Sequence, residues 1–295
     1  LVSKNVSLLS LFLKNPISIL MFYPPTRKPI PIQAFSICLL FNILLFALTP
    51  TSSLAQNTRI NDYNSIGWYN YFGTIKLSSK WGVHHEYQFR RDDFISKWQQ
   101  SLLRLGINYQ IHPKIQFRLG YAWIETFPYG DFPINSMGKD FTEHRIYQMV
   151  TLTDKVSILD FSHRFMLEQR FIGIYTNANL SKEDKYTFLN RLRYLFRIQL
   201  PLIGKEVGNK TPYLAFYDEI FIGFGKNVKE NVFDQNRVSL LVGYRFSPVI
   251  RLECGYLNQT LQLGREIENR NVFQYNNGII VNLYLNLDFS KKESQ

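Results

Sequence analysis

The sequence predicts an all-β fold: an antiparallel transmembrane β-barrel of about twelve strands, with ten to fourteen open, after a cleaved signal peptide. Three observations carry this expectation. Apolar and polar residues alternate with period two through most of residues 66–289, the pattern of an extended chain with two unlike faces. Several alternating segments run 12 to 17 residues, whereas soluble strands usually have about 5–6 and a tilted bilayer crossing needs about 9–11. Tight turns also alternate with longer polar connections, as in barrels with short periplasmic turns and longer outer loops.

The first segment to justify is the export signal. "AFSICLLFNILLFAL" at 34–48 is a long apolar run, preceded by Arg27 and Lys28 and followed by "SLA" at 53–55. Charge, apolar core and small residues in that order make a secretory signal, expected to be cut after Ala55. The core is short for a spanning helix of about 20 residues, although an uncleaved anchor is the competing reading. Cys38 lies inside the apolar core rather than at the cut, against a lipoprotein signal. Residues 1–20 are taken as an extra or misplaced start, because Met21 opens a better signal. Residues 21–55 are the signal, 56–65 a weak first strand or lumen segment, 66–289 the barrel and 290–295 a short tail.

Eleven strands then follow, at about 66–78, 81–92, 97–111, 114–127, 142–153, 156–172, 185–200, 212–224, 235–247, 249–263 and 272–289. "VHHEYQFR" sets Val83, His85, Tyr87 and Phe89 against His84, Glu86, Gln88 and Arg90. "LRLGINYQI" sets Leu103, Leu105, Ile107 and Tyr109 against Arg104, Gly106, Asn108 and Gln110. In "DFSHRFMLEQRFIG" at 160–173, Phe161, Phe165, Leu167 and Phe171 would meet lipid, while Asp160, Arg164, Glu168 and Arg170 would meet a lumen. His163 sits awkwardly on the apolar side. "NRLRYLFRIQL", "RVSLLVGYRF", "VIRLECGYL" and "IVNLYLNLDF" continue the alternation. The segments 142–153 and 213–224 are the least regular. "SSK", "HPK", "TDK" and "SP" read as tight turns; "FPYGDFPINSMGKD", "GIYTNANLSKEDK", "GKNVKENVFDQ" and "GREIENRN" read as longer loops. The 200–212 connection is long and breaks that order. Because bacterial single-chain barrels have an even strand number, residues 56–65 are expected to supply a twelfth strand or to thread the lumen.

Composition agrees. There are 24 Phe and 18 Tyr, and Trp81, Trp98, Trp123 and Phe127 stand near strand ends, where interfacial aromatic girdles form. A soluble sandwich would also bury one face, but it would not need strands this long. Removing Lys4, Lys14, Arg27 and Lys28 with the signal leaves 30 basic against 23 acidic residues, a net of +7. This is mildly basic, without a Lys/Arg run of the nucleic-acid-binding type. Only Cys254 then remains, so no internal disulfide is expected.

Certain stretches carry a family resemblance. "HRFMLEQRF" at 163–171, "NRLRY" at 190–194, "YDEIF" at 217–221, "NRVSLLVGYRF" at 236–246, "GYLNQ" at 255–259 and the opening "WYNYFGTIKLSSKWGVHHEYQFRR" at 68–91 resemble domain-of-unknown-function family 2490. The resemblance covers most of residues 66–289. It implies an exported outer-membrane barrel of a Bacteroidetes-type or other Gram-negative bacterium, and it implies no activity.

The chemistry lies on the polar face. Its candidate ionic network is Glu86, Arg118, Arg164, Glu168, Arg170, Arg191, Arg193, Glu219, Arg237, Arg245, Arg251 and Glu253, eight arginines against four glutamates. Arginine is planar and always charged, so it can bridge carboxylates in a ladder. Such a ladder either fills a narrow barrel or lines a pore that favours small anions. A narrow anion-favouring pore is the first expectation, a plugged structural or interaction barrel the second, and an outer-membrane lipid-modifying enzyme the third. Lipid hydrolysis needs Ser and His on one face within hydrogen-bond reach; Ser162 and His163 are neighbours and point to opposite faces. His84 and His85 split likewise, against a shared metal. No cofactor, metal site, catalytic residue or nucleic-acid partner is expected. The expected partners are outer-membrane lipid, the barrel-assembly machinery during insertion, and small solutes.

Overall fold

A computed structural model describes residues 59–290. The expected signal with its cut after Ala55, the segment 1–20 and the tail beyond residue 290 lie outside the described residues. Within them eleven strands follow one another: β1 Arg59–Lys76, β2 Trp81–Asp92, β3 Lys97–His112, β4 Ile115–Thr126, β5 Phe141–Val156, β6 Leu159–Ile174, β7 Lys185–Pro201, β8 Thr211–Phe224, β9 Phe233–Arg245, β10 Ile250–Ile267 and β11 Arg270–Asp288. Each pairs antiparallel with its sequence neighbour, and β1 closes the barrel on β11. Closure leaves no open sheet edge, the condition for strands to stand in lipid.

Among the described residues the strand count is eleven, not twelve. Residues 59–65 are the first seven residues of the 18-residue β1 rather than a separate strand. An odd number of otherwise antiparallel strands forces a parallel closing pair, and β1 pairs β11 in parallel from Arg59↔Asn271 to Lys76↔Asp288. The seam is stapled by like-placed side chains: Asn64 donates to Asn276 at 3.0 Å, Asn70 to Asn282 at 2.9 Å, and Lys76 to Asp288 at 3.0 Å.

Two turns also differ from expectation. "TDK" is not a turn, because β5 continues to Val156 and the chain reverses at Ser157, whose φ is 56°. "GREIENRN" is not a long loop. β10 and β11 extend until Glu268 and Asn269 alone join them, both in the left-handed region, the geometry of a two-residue hairpin turn with a twist that suits the strands. The Glu-Asn pair lacks the glycine that usually announces such a turn. The short ends (77–80, 113–114, 157–158, 246–249) all lie at one mouth, together with the longer 202–210. The connections 127–140, 175–184 and 225–232 lie at the other, beside the short 93–96 and 268–269.

The outward face is apolar. Leu103, Leu105, Ile107, Leu240 and Val242 are between 40% and 59% exposed, an arrangement that water would penalise and lipid would not. Aromatic pairs cluster towards the mouths, with Trp81 on Tyr109 at 4.6 Å and Trp98 on Phe89 at 4.6 Å. The few polar groups on this wall find partners in it. His163 Nδ1 and the Tyr194 hydroxyl lie 2.9 Å apart, which satisfies one ring nitrogen of the awkward histidine and leaves Nε2 without a partner, and Gln148 and Gln169 bond each other.

The lumen face is not wholly polar. Ile66, Trp68, Tyr213, Ala215, Leu241, Leu257 and Ile280 form a buried cluster on the β8–β11 and β1 side. Two glycines make room for large rings inside. A Cβ on Gly120 would stand 2.4 Å from the Tyr147 ring, and one on Gly243 would stand 2.3 Å from that of Tyr213.

Candidate functional site

All twelve residues of the predicted ionic network lie on lumen-facing positions, and the structure sorts nine of them into three groups, leaving Arg118, Arg245 and Arg251 outside. The largest is a ladder across β5–β9. Glu143 accepts from Arg145 at 2.5 Å and from Arg170 at 2.6 Å. Arg170 reaches Asp234 at 3.3 Å, and Asp234 accepts from Arg191 at 2.7 Å. Glu168 joins Arg191 at 2.6 Å and Arg193 at 2.8 Å; Glu219 then joins Arg193 at 2.7 Å and Arg164 at 2.8 Å. Each carboxylate thus serves at least two guanidinium groups. The Arg170–Asp234 rung runs from β6 to β9, over two intervening strands, so the ladder crosses the interior instead of following the wall. Removing an ion from water costs several kcal/mol, and only close, multiple pairing offsets that cost.

A second group surrounds Glu86, which accepts from Arg104 at 2.7 Å and lies 3.0 Å from His84, with Gln88 also bonded to it. A third surrounds Glu253, which is fully buried. It holds Arg197 from β7 and accepts from the Tyr213 hydroxyl at 2.6 Å and the Tyr284 hydroxyl at 3.0 Å.

Arg237 ends the ladder 4.0 Å from Glu219 and starts another structure. Its guanidinium lies 4.8 Å from the Trp68 ring centre and 4.6 Å from that of Phe221. Arg90 covers Trp68 at 3.8 Å, and Arg193 covers Phe221 at 4.3 Å. Arg90, Trp68, Arg237, Phe221 and Arg193 therefore make an alternating cation–aromatic bar from β2 and β1 across to β7–β9. All five are buried, where such contacts are worth about 2 kcal/mol or more each. Trp68 Nε1 also donates to Gln99 at 2.7 Å.

The bar lies between two cavities, and Trp68, Arg90 and Arg237 line both. One, of about 690 Å³, faces the short-turn mouth. The other, of about 470 Å³, faces the long-loop mouth. There the 127–140 connection folds inward. The Tyr129 hydroxyl donates to Gln274 at 2.8 Å, Gln274 donates to the Phe132 carbonyl at 3.0 Å, and Arg265 donates to the Pro133 carbonyl at 2.7 Å. Burial pushes the Tyr129 hydroxyl up to about 12.

Of the remaining predicted residues, Arg118 and Arg245 form no ion pair among the described residues, and Arg251 forms only a long one with Glu253. Arg118 donates to the Asn108 side chain at 2.5 Å, and Arg245 donates to the Val207 carbonyl at 3.0 Å. Arg251 lies over the Tyr284 ring at 3.9 Å and no nearer than 3.9 Å to Glu253.

Sequence reasoning missed Glu143, Arg145, Asp234, Arg90, Arg104 and Arg197 as members. Arg90, Arg104 and Arg197 already stood on polar faces, so alternation alone was enough to include them. Glu143 and Arg145 lay in the irregular 142–153 segment, and Asp234 lay one residue before its expected strand. Among the described residues no group of three His, Cys, Asp or Glu side chains is placed to hold a metal ion.

Comparison with known proteins adds three findings. No curated protein matches the sequence. Among solved structures, that of the NanC porin in a rhombohedral crystal form is similar at 13% identity, covering 70% of this chain and 91% of that one with a TM-score of 0.39. The model of a family described as protein of unknown function (DUF2490) matches residues 66–270. That match spans ten strands and most of the lumen network, and the chain belongs to this family.

Proposed function

We propose that the protein is a barrel of a Gram-negative outer membrane whose lumen is closed to free diffusion at its middle, so that it acts as a structural or interaction barrel rather than a general pore. One observation carries this: the cation–aromatic bar and the Arg–carboxylate ladder cross the lumen between the two cavities. A diffusion pore needs a continuous wet path with charges held at its walls, and here the charges meet in the centre. The outward apolar band supports insertion in lipid, and insertion of such a barrel calls for the assembly machinery. A second reading, conditional passage of small anions, is favoured by the excess of arginine over carboxylate, and it requires the bar to move.

Two measurements on the purified protein test the first reading. Unheated and boiled samples should migrate differently on gels if a closed barrel forms. In planar bilayers the heat-shifting protein should pass no steady current, whereas Arg237→Ala combined with Arg90→Ala should pass one. Steady, open-porin current from the unaltered protein would refute the closed lumen.

A further inference from the structure

We propose that the short-turn mouth of the lumen is a binding site for a small water-soluble solute bearing a phosphate or carboxylate group, held by Arg245 and Arg251. The two residues are direct cross-strand partners of β9 and β10, and both line the larger cavity. Like charges directly opposite on a sheet face repel, so this pair needs a reason to exist. Neutralisation from within the protein provides it only in part. Glu253 is the nearest carboxylate to Arg251, at 3.9 Å. That carboxylate is already occupied by Arg197, Tyr213 and Tyr284 and accepts a fourth, longer bond from Asn282 at 3.3 Å. Among the described residues no carboxylate forms an ion pair with Arg245, whose one bond goes to a carbonyl, and Arg251 Nε is buried with no partner. The Tyr284 ring holds the Arg251 plane at 3.9 Å, which fixes its orientation and leaves N–H groups free to point elsewhere.

A guanidinium fork matches the oxygens of phosphate or carboxylate, and two forks on adjacent strands can share one anion. The pair stands beside the 246–249 turn, so water and solutes reach it without crossing the bar. Because both side chains point inward, the occupant is a dissolved solute and not a lipid headgroup on the outer wall. The proposal therefore holds whether or not the middle of the lumen conducts.

The test titrates inorganic phosphate into the full-length protein by calorimetry, in phosphatidylcholine vesicles, against chloride at equal ionic strength. Saturable phosphate binding is expected, weakened at least tenfold in Arg245→Gln and in Arg251→Gln. In chloride alone at low salt, both variants should unfold at the same temperature as the unaltered protein or higher, since each relieves the repulsion. Arg251→Lys keeps the charge, loses the fork, and should bind with intermediate affinity. No phosphate effect beyond chloride, or full binding by the glutamine variants, would overturn the site. Variants less stable than the unaltered protein in chloride would make the pair structural and also overturn it. Loss of phosphate binding on adding phosphatidylglycerol would assign the site to a lipid headgroup and sink the soluble solute.

Discussion

The two halves of the lumen balance charge differently. Towards the long-loop mouth, Arg145, Arg170 and Arg191 each bond a carboxylate directly, and Glu143 and Asp234 are each shared. The 127–140 connection is hydrogen-bonded over that end. Towards the short-turn mouth, Arg118 and Arg245 form no ion pair among the described residues and Arg251 reaches Glu253 only at 3.9 Å, and the larger cavity lies beside them. The first half is arranged as a core is, with polar groups satisfied from inside. The second also pairs Arg104, Arg164 and Arg197 with carboxylates, but it keeps the charge of Arg118 and Arg245 in reserve, which costs stability unless water or a solute completes it. Lumen position alone therefore does not say whether an arginine is structural; its nearest carboxylate does.

The sharpest way to break this contrast is Glu168→Ala. It would leave Arg191 and Arg193 short of a partner in a buried site and should destabilise the barrel by about 3–5 kcal/mol, read from denaturant unfolding in detergent. A loss below about 1 kcal/mol would mean that the ladder is solvated and that the halves do not differ. A step down in size is Gly243→Ala. Its methyl would meet the Tyr213 ring, which in turn holds Glu253, and overpacking of this kind costs about 1–3 kcal/mol. Restoration of stability by adding Tyr213→Phe would show that the ring clash was minor and the hydroxyl dispensable.

Much of this architecture was legible in the sequence, because period two depends only on burial of one face. Every predicted lumen residue faces inward for that reason. Strand number was less legible. Residues 59–65 carry polar groups at Asn61, Asp62 and Asn64, so their apolar alternation is weak, yet they pair fully with β11 through backbone bonds that no side-chain pattern reports. The hairpin at Glu268–Asn269 hid for a similar reason, as its residues are not the usual ones for positive φ. Pairing inside the lumen was not legible at all. Which arginine meets which carboxylate depends on strand stagger and on contacts over intervening strands, such as Arg170 with Asp234 and Arg197 with Glu253. The bar was equally hidden, because alternation does not report that Trp68, over intervening strands, and Phe221 meet the same Arg237.

The cap over the long-loop half gives a pH test. The Tyr129 hydroxyl is raised from the ordinary 10 to about 12 by burial, so the folded state favours the neutral phenol. Its contribution is complete below pH 10 and is lost as pH rises towards 12. Protease cleavage within 127–140 should therefore stay slow to about pH 10 and quicken above it. Tyr129→Phe should remove that pH step and cost about 1 kcal/mol, the value of its hydrogen bond to Gln274. An unchanged cleavage profile in the variant would place the control of the cap in Arg265 instead.

The smallest expected effect is the most discriminating. Arg118→Ala removes a buried-side arginine from the half that holds charge in reserve. It loses one bond to Asn108, worth about 1–1.5 kcal/mol for a charged donor. It also removes a cation that is attracted by Glu86 and repelled by Arg104 and Arg164, so the charge effects of its removal oppose one another. The net change should lie within about 1 kcal/mol of zero and vary little with salt, because screening weakens the attraction and the repulsion together and leaves the lost bond. A ladder arginine would behave otherwise: Arg191→Ala strips Glu168 and Asp234 of a shared partner and destabilises at any salt. If Arg118→Ala and Arg191→Ala cost the same and respond to salt alike, the two halves are one network, and the arginine excess at the short-turn mouth has no separate meaning.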